Sequence, residues 1–185
     1  PASGRKACLC TKKQFTIHLC NSSFTNELLH KCIVNCFLVQ RHAFLPEAGQ
    51  GIRFLVGVDG SEVAHHAFDS MMSMHQSNDH VSVVHYSRHY GDKDKSILGA
   101  YEQRCASLGA NADVKFVPRD ISISMSDELL KYADENNYHC LVLGSTGFPR
   151  DSRNTEARLG SVASACIRHA HRMAFLVVTP YQLRK

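Results

Sequence analysis

Apolar and polar positions along this chain fall into two regimes that meet near residue 50. From residue 53 onward, short apolar runs alternate with stretches in which apolar residues recur every three or four positions. The runs are Phe54-Leu55-Val56-Gly57-Val58, Val81 to Tyr86, Val114 to Val117, Cys140 to Leu143 and Phe175 to Val178. Each has the length and the β-branched or aromatic content of a strand. Between them, Val63/Ala64, Ala67/Phe68 and Met71/Met72 keep helical spacing, as do Ile97/Leu98, Tyr101, Cys105 and Leu108. Leu129/Leu130 with Ala133, and Val162 with Ala165/Cys166 and Ala170, mark two more helices. Asp59-Gly60-Ser61-Glu62 and Ser124 with Asp127 supply helix-start signals, the first read with Asp59 as the cap. Five strands alternating with four helices predict an α/β fold, a doubly wound five-stranded parallel sheet with helices on both faces.

Such sheets bind ligands beyond the C-terminal strand ends, where neighbouring connections leave toward opposite faces. Asp59 closes the first predicted strand, Tyr86 the second, and Gly144-Ser145-Thr146-Gly147 follows the fourth. Leu159-Gly160-Ser161-Val162 then opens the last helix. Glycine lets backbone approach an anion closely, and a helix start offers unpaired N–H donors in positive potential. If strands one and four are neighbours, a carboxylate and a phosphate cradle share one crevice, a layout suited to a nucleotide. Asp59 can accept from a ribose hydroxyl or an adenine amino group, or it can serve only as a helix cap. Gly144 and Gly147 can bind an anion or only shape a turn. Ser161 can donate to a phosphate or act as an N-cap.

The first fifty residues read differently. They hold six Lys/Arg against two acids, whereas residues 51–185 hold fifteen of each, so the net charge of +4 belongs to the N-terminal segment. A neutral second part gives no electrostatic footprint for nucleic acid. Five of the eight cysteines also lie in the first 36 residues. His18-x-Cys20, His30-x-Cys32 and Cys32-x3-Cys36 match zinc spacing only loosely, and no metal site is assigned. The chain opens on Pro1 and its first methionine is Met71. Residues 1–50 are therefore expected to be an irregular, cysteine-rich basic extension, poorly ordered or not native, and residues 51–182 the functional domain. No window approaches a membrane span and no leader pattern is visible, which predicts a soluble, cytoplasmic protein with reduced cysteines.

The remaining candidate chemistry is sparse. His65 and His66 are adjacent on one helix, and His169 and His171 are two apart, so neither pair converges on a metal. His85, late in the second strand, reads as a satisfied core residue. Gly-x-Ser-x-Gly, His-Glu-x-x-His and Gly-x4-Gly-Lys-Ser/Thr are absent, and no catalytic residue is assigned. Arg150, Arg153 and Arg158 alternate with Asp151 and Glu156 and read as solvation of a long loop.

Taken in order, the Phe54–Glu62 segment, Val83-Val84-His85, Leu141 to Gly147, Leu159 to Val162 and Phe175 to Val178 resemble a universal stress protein domain, over about residues 52–180. The resemblance implies strand order 3-2-1-4-5, homodimerisation through the last strand, and ATP or AMP as ligand, with Mg as a candidate companion of the phosphates. It implies that Gly57, Val58 and Asp59 line the adenosine pocket and that Tyr86 meets adenine through its backbone. Leu143, Gly144, Thr146 and Gly147 would wrap ribose and phosphates, with Gly160, Ser161 and Val162 at the phosphate tail. It also implies a stress-response or signalling module with at most weak ATP hydrolysis. One departure stands out: the family's ATP-binding pattern is Gly-x2-Gly-x9-Gly-Ser/Thr, whereas twelve residues, Phe148 to Leu159, separate Gly147 from Gly160 here. Adenosine recognition is expected to survive this, with weaker affinity for a triphosphate. Two other readings stay open. One is an ATP-using enzyme of adenylation or pyrophosphatase type, whose Ser-Gly-Gly-x-Asp-Ser loop is not matched by Val58-Asp59-Gly60-Ser61. The other is a nucleotide-free dimeric interaction domain.

Overall fold

The computed structural model describes residues 15–20, 35–40, 43, 46–47, 49–145, 159–170 and 172–178. Strands β3 (Arg53–Val58), β4 (His80–Ser87), β5 (Ala112–Pro118), β6 (Cys140–Gly144) and β7 (Ala174–Val178) alternate with four described helices. These are α1 (Glu62–Met72), α2 (Asp92–Ser107), α3 (Met125–Glu135) and α4 (Ser161–His169). Two further strands, β1 (Phe15–Cys20) and β2 (Asn35–Gln40), precede them. All seven form one sheet in the order β1-β2-β7-β6-β3-β4-β5.

The fold class is the one the alternation predicts, but the strand count is seven instead of five. Within that sheet β5-β4-β3-β6-β7 run parallel in the expected 3-2-1-4-5 arrangement. The sheet continues past the fifth strand because β2 pairs antiparallel with β7 and β1 pairs parallel with β2. The segment expected to be irregular thus contributes two strands. The outer edge of β7, where the resemblance places a partner copy, is filled by β2 of the same chain.

Both faces of the sheet are covered, which is why its central strands are continuous apolar runs instead of alternating ones. On one face Phe54, Val56, Val81, Val83, Val142 and Leu176 lie beneath Ala67, Phe68 and Met71 of α1 and Tyr101 of α2. On the other, Leu55, Val84, Leu141, Phe175 and Val177 meet Leu129 and Ala133 of α3 and Ala163, Cys166 and Ile167 of α4. Leu38 of β2 is only 1% exposed and belongs to this second cluster.

The helix starts differ in one respect from expectation. The N-cap of α1 is Ser61, whose Oγ accepts from the Ala64 N–H at 3.2 Å. Asp59 stands two residues earlier and its Oδ1 accepts from the Ser61 N–H at 2.9 Å, an Asx turn. Helix α3 begins as expected, with Ser124 Oγ accepting from the Asp127 N–H at 3.1 Å.

Candidate functional site

Strand β3 hands the chain to α1 on one face, and its neighbour β6 leads to α4 on the other. The pairing records the consequence. The β3–β6 ladder contains only Phe54↔Cys140, Leu55↔Leu141 and Val56↔Val142. By contrast β3–β4 continues to Val58↔His85, and β6–β7 to Gly144↔Val178. The sheet therefore parts between Gly57-Val58 and Leu143-Gly144, at the topological switch point where a ligand crevice is expected.

Gly57 sits where the parting begins. A Cβ there would lie 3.0 Å from Leu143 Cδ2 and 3.6 Å from Leu129 Cδ2, so glycine is what lets those leucines close beneath the crevice floor. Val58 is buried, and its carbonyl accepts from His85 Nδ1 at 2.8 Å. Asp59 is exposed at the rim. With Oδ1 committed to Ser61, its Oδ2 has no partner among the described residues. The turn that places it uses Gly60 at φ +79°.

The opposite wall is held by main-chain bonds. The buried Ser145 donates its N–H to Val178 O at 2.7 Å, and its carbonyl accepts from the Gly160 N–H. These bonds bring the start of α4 to the end of β6, whatever the length of the loop between them. Gly160 is the N-cap of α4 and offers no side chain to its first turn. Ser161, for which an N-cap was the alternative to a phosphate donor, is the first helical residue and not the cap, and it is exposed, with Val162 half-buried beside it. The start of α4 thus combines uncapped N–H groups with the positive end of the helix dipole. Gly57, Val58 and Asp59 thus stand at the end of β3, Leu143 and Gly144 at the end of β6, and Gly160 and Ser161 at the start of α4, on either side of this parting, while Val162 packs against the cluster under α3 and α4. Thr146 and Gly147, with the loop arginines, lie outside the described residues.

Tyr86 is placed differently from its neighbours in this set. Near the C-terminal end of β4, it packs against the cluster under α3 and α4, its ring edge-on to Tyr132 at 6.4 Å. Its hydroxyl is buried without a partner among the described residues, and so is Glu128 Oε2 in the first turn of α3. Burial, then the nearby Glu128 carboxylate, pushes the Tyr86 phenol well above its ordinary range. A phenol held neutral beside an orphaned carboxylate oxygen is a polar spot poised for a water or a ligand group.

The family model for the universal stress protein family matches residues 53–178. This chain belongs to the universal stress protein family. Among curated proteins, none matches it. Among solved structures, a universal stress protein from Archaeoglobus fulgidus DSM 4304 is similar at TM-score 0.64 and 20% identity, covering 89% of this chain and 60% of its own. A universal stress protein in complex with cAMP has TM-score 0.54 and 22% identity, covering 70% of this chain and 98% of its own. A shorter universal stress protein from Archaeoglobus fulgidus, in complex with dAMP, has TM-score 0.52 and 21% identity, covering 69% of this chain and 97% of its own.

Within this universal stress protein domain, the sequence did not point to the tie behind Val58. His85 Nε2 lies 2.7 Å from Asp94 Oδ1, and Asp94 Oδ2 accepts from the Gly91 N–H at 2.8 Å. A carbonyl can only accept, so the bond to Val58 fixes Nδ1 as its donor. That Gly91 bond, then the one from His85, holds the Asp94 carboxyl below its ordinary value of 3.8. Through these bonds α2, β4 and the end of β3 form one rigid rim. His85 is thus the satisfied core residue expected, with the added role of positioning the strand that carries Asp59.

A second hollow, of about 550 Å³, opens between the C-terminal parts of α1 and α2, lined by residues such as Asp69, Met72 and Arg104. It is a poor ligand site on chemical grounds. Asp69 and Arg104 already pair at 2.5 Å, and helix C-termini present carbonyls where an anion needs donors.

Proposed function

We propose that this chain is an adenine-nucleotide-binding module of the universal stress protein family, using the crevice between β3 and β6. The observation that carries the reading is the early end of the β3–β6 ladder between two chemically different walls. Asp59, with a carboxylate oxygen without a partner among the described residues, suits ribose hydroxyls or the adenine amino group. The uncapped start of α4, with Gly144 opposite, suits a phosphate. The complexes of two similar proteins with cAMP and dAMP support an adenine nucleotide in particular.

AMP is the favoured ligand, with ATP bound less tightly, because the twelve residues between Gly147 and Gly160 lengthen the loop that must fold over the outer phosphates. Thr146 and Gly147 belong to that loop and are assigned to the phosphate side. Mg would accompany only the longer phosphate chain. The role is binding and signalling, with ligand occupancy altering the rim of the crevice, and a cytoplasmic setting suits the buried thiols.

Mass analysis of small molecules released from freshly purified, denatured protein should find AMP or ATP. Asp59→Ala should release none while keeping the wild-type circular dichroism. Equal release from wild type and Asp59→Ala would refute the placement of the nucleoside.

A further inference from the structure

Four large hydrophobic side chains are exposed among the described residues. Three of them, Tyr90 (53%), Ile121 (65%) and Ile123 (36%), stand on loops at the C-terminal ends of the strands, where the sheet parts. The fourth, Leu108, follows α2 at the far end. Tyr90 lies against Phe116, ring centroids 4.7 Å apart, with Lys95 Nζ 5.8 Å from its own. The two isoleucines belong to neither buried cluster, whereas Met125 packs onto the one under α3 and α4.

Their exposure is built into an ordered loop. The Arg119 N–H donates to Ser87 O at 3.0 Å, which fastens the loop's start to the end of β4. The Asp120 N–H donates to Glu128 Oε1 at 2.9 Å. Asp120 Oδ1 in turn accepts from the Ser122 N–H at 2.9 Å and from its hydroxyl at 2.6 Å, an Asx turn with Ile121 at its tip. The Ser124 cap on α3 closes the segment. Burying either isoleucine in the core would be favourable; these bonds keep both at the surface.

The same bonds set the loop's course. It leaves β5, the outer strand, and ends at the first turn of α3. That turn lies under β3, since Leu129 Cδ2 is 3.6 Å from where a Gly57 Cβ would stand. It also lies beside α4, with Cys166 Sγ 3.9 Å from Ser126 O. Residues 119–124 therefore cross the ends of β4 and β3, about 10 Å of sheet, and pass along the mouth of the parting on the side of α3. Two buried polar atoms without a partner among the described residues, Tyr86 Oη and Glu128 Oε2, belong to the strand end and the helix turn that this loop joins.

An ordered, exposed apolar pair marks a surface that something covers. Two side chains fall far short of the roughly 800 Å² that a standard protein interface takes from each partner. They match the flat face of one base.

We propose that Ile121 and Ile123 form the apolar wall of a nucleobase subsite, closing over the face of a purine whose sugar sits at Asp59 and whose phosphate sits at the start of α4. The inference rests on the nucleotide reading of the crevice and adds what holds the base. The wall meets the ring's face and leaves its edge to polar groups. A purine covers more of both side chains than a pyrimidine, so the wall selects by size.

Methyl NMR of the full chain with isotope-labelled isoleucines tests this, the two residues being assigned through Ile121→Ala and Ile123→Ala. Saturation with AMP should shift both sets of methyl resonances through the ring current of the base, while ribose 5-phosphate at the same concentration should leave them in place. By calorimetry the double variant should bind AMP about tenfold more weakly or worse, the scale for lost methylenes in an apolar site. Its urea midpoint should stay that of wild type, because both side chains are exposed. AMP saturation with unmoved methyls, equal shifts with ribose 5-phosphate, a lowered midpoint, or AMP affinity within about twofold of wild type would overturn the wall and leave the nucleotide reading in place. Failure of wild type to bind AMP would overturn both.

Discussion

Gly60 is the residue on which the aim of Asp59 turns, and Gly60→Ala is the most informative single perturbation of the rim. Its φ of +79° lies in the left-handed region. An L-residue there costs about 1–2 kcal/mol that glycine avoids. A Cβ would also lie 2.8 Å from Ile97 Cδ1 and 3.0 Å from Cγ1, closer than real contacts. Ile97 is half-buried on the cluster between α1, α2 and the sheet, so it must leave its rotamer, at about 0.5–1.5 kcal/mol. Together these predict a destabilisation of about 2–3 kcal/mol, measurable as a lower urea midpoint with an unchanged slope. The two contributions separate in a double-mutant cycle. Ile97→Ala removes the clash, so Gly60→Ala made on that background should cost about 1 kcal/mol less than on wild type. Nucleotide affinity should stay impaired on both backgrounds, because backbone strain still misdirects Asp59. Gly60→Ala within about 0.5 kcal/mol of wild type would refute the reasoning, since surface changes of no consequence fall in that range.

Further expectations follow from the core and its polar groups. Leu38→Ala should cost about 2–5 kcal/mol in urea unfolding, the range for a buried leucine; a cost near zero would remove β2 from the folded core. Tyr86→Phe should raise stability by about 1 kcal/mol, because it deletes a buried hydroxyl with no described partner; a loss would reveal a bound water or a bond to Glu128. The depressed Asp94 carboxyl contributes stability that is present above its ordinary value of 3.8 and lost as pH falls from there through its lower folded value. The urea midpoint should therefore decline below about pH 4, more shallowly in Asp94→Asn, and equal slopes for the two proteins would contradict the assignment. Burial pushes the Cys166 thiol up to about 12 and also raises Cys105 and Cys140. Mass mapping after thiol labelling at about pH 8 should find these three unmodified until denaturant is added.

The elements from β3 to β7 were legible because burial on both sheet faces writes a strand as an unbroken apolar run. Phe54 to Val58 and Phe175 to Val178 show this most clearly. β1 and β2 were not legible because their pairing depends on the distant edge of β7, and polar Asn35 and Gln40 bracket a short run. The parting of the sheet beside Asp59 and Gly144 followed from topology, while the cap read at Asp59 and the alternative cap at Ser161 each shifted by one or two residues. At α1 the choice between Asp59 and Ser61 is decided by the left-handed turn at Gly60, which composition does not reveal. At α4, Gly160 takes the cap because its N–H reaches back to Ser145. The tie from His85 to Asp94 joins residues nine apart through a strand, a turn and a helix start. Its one sequence signal was a histidine at an otherwise apolar strand position.

Calorimetric titration of the full chain with AMP, with CMP as the control, tests the central claim most directly. Saturable binding of one AMP per chain is predicted, with no response to CMP and loss of AMP binding in Asp59→Ala. Indifference to AMP at millimolar concentration, or equal affinity for AMP and CMP, would contradict it.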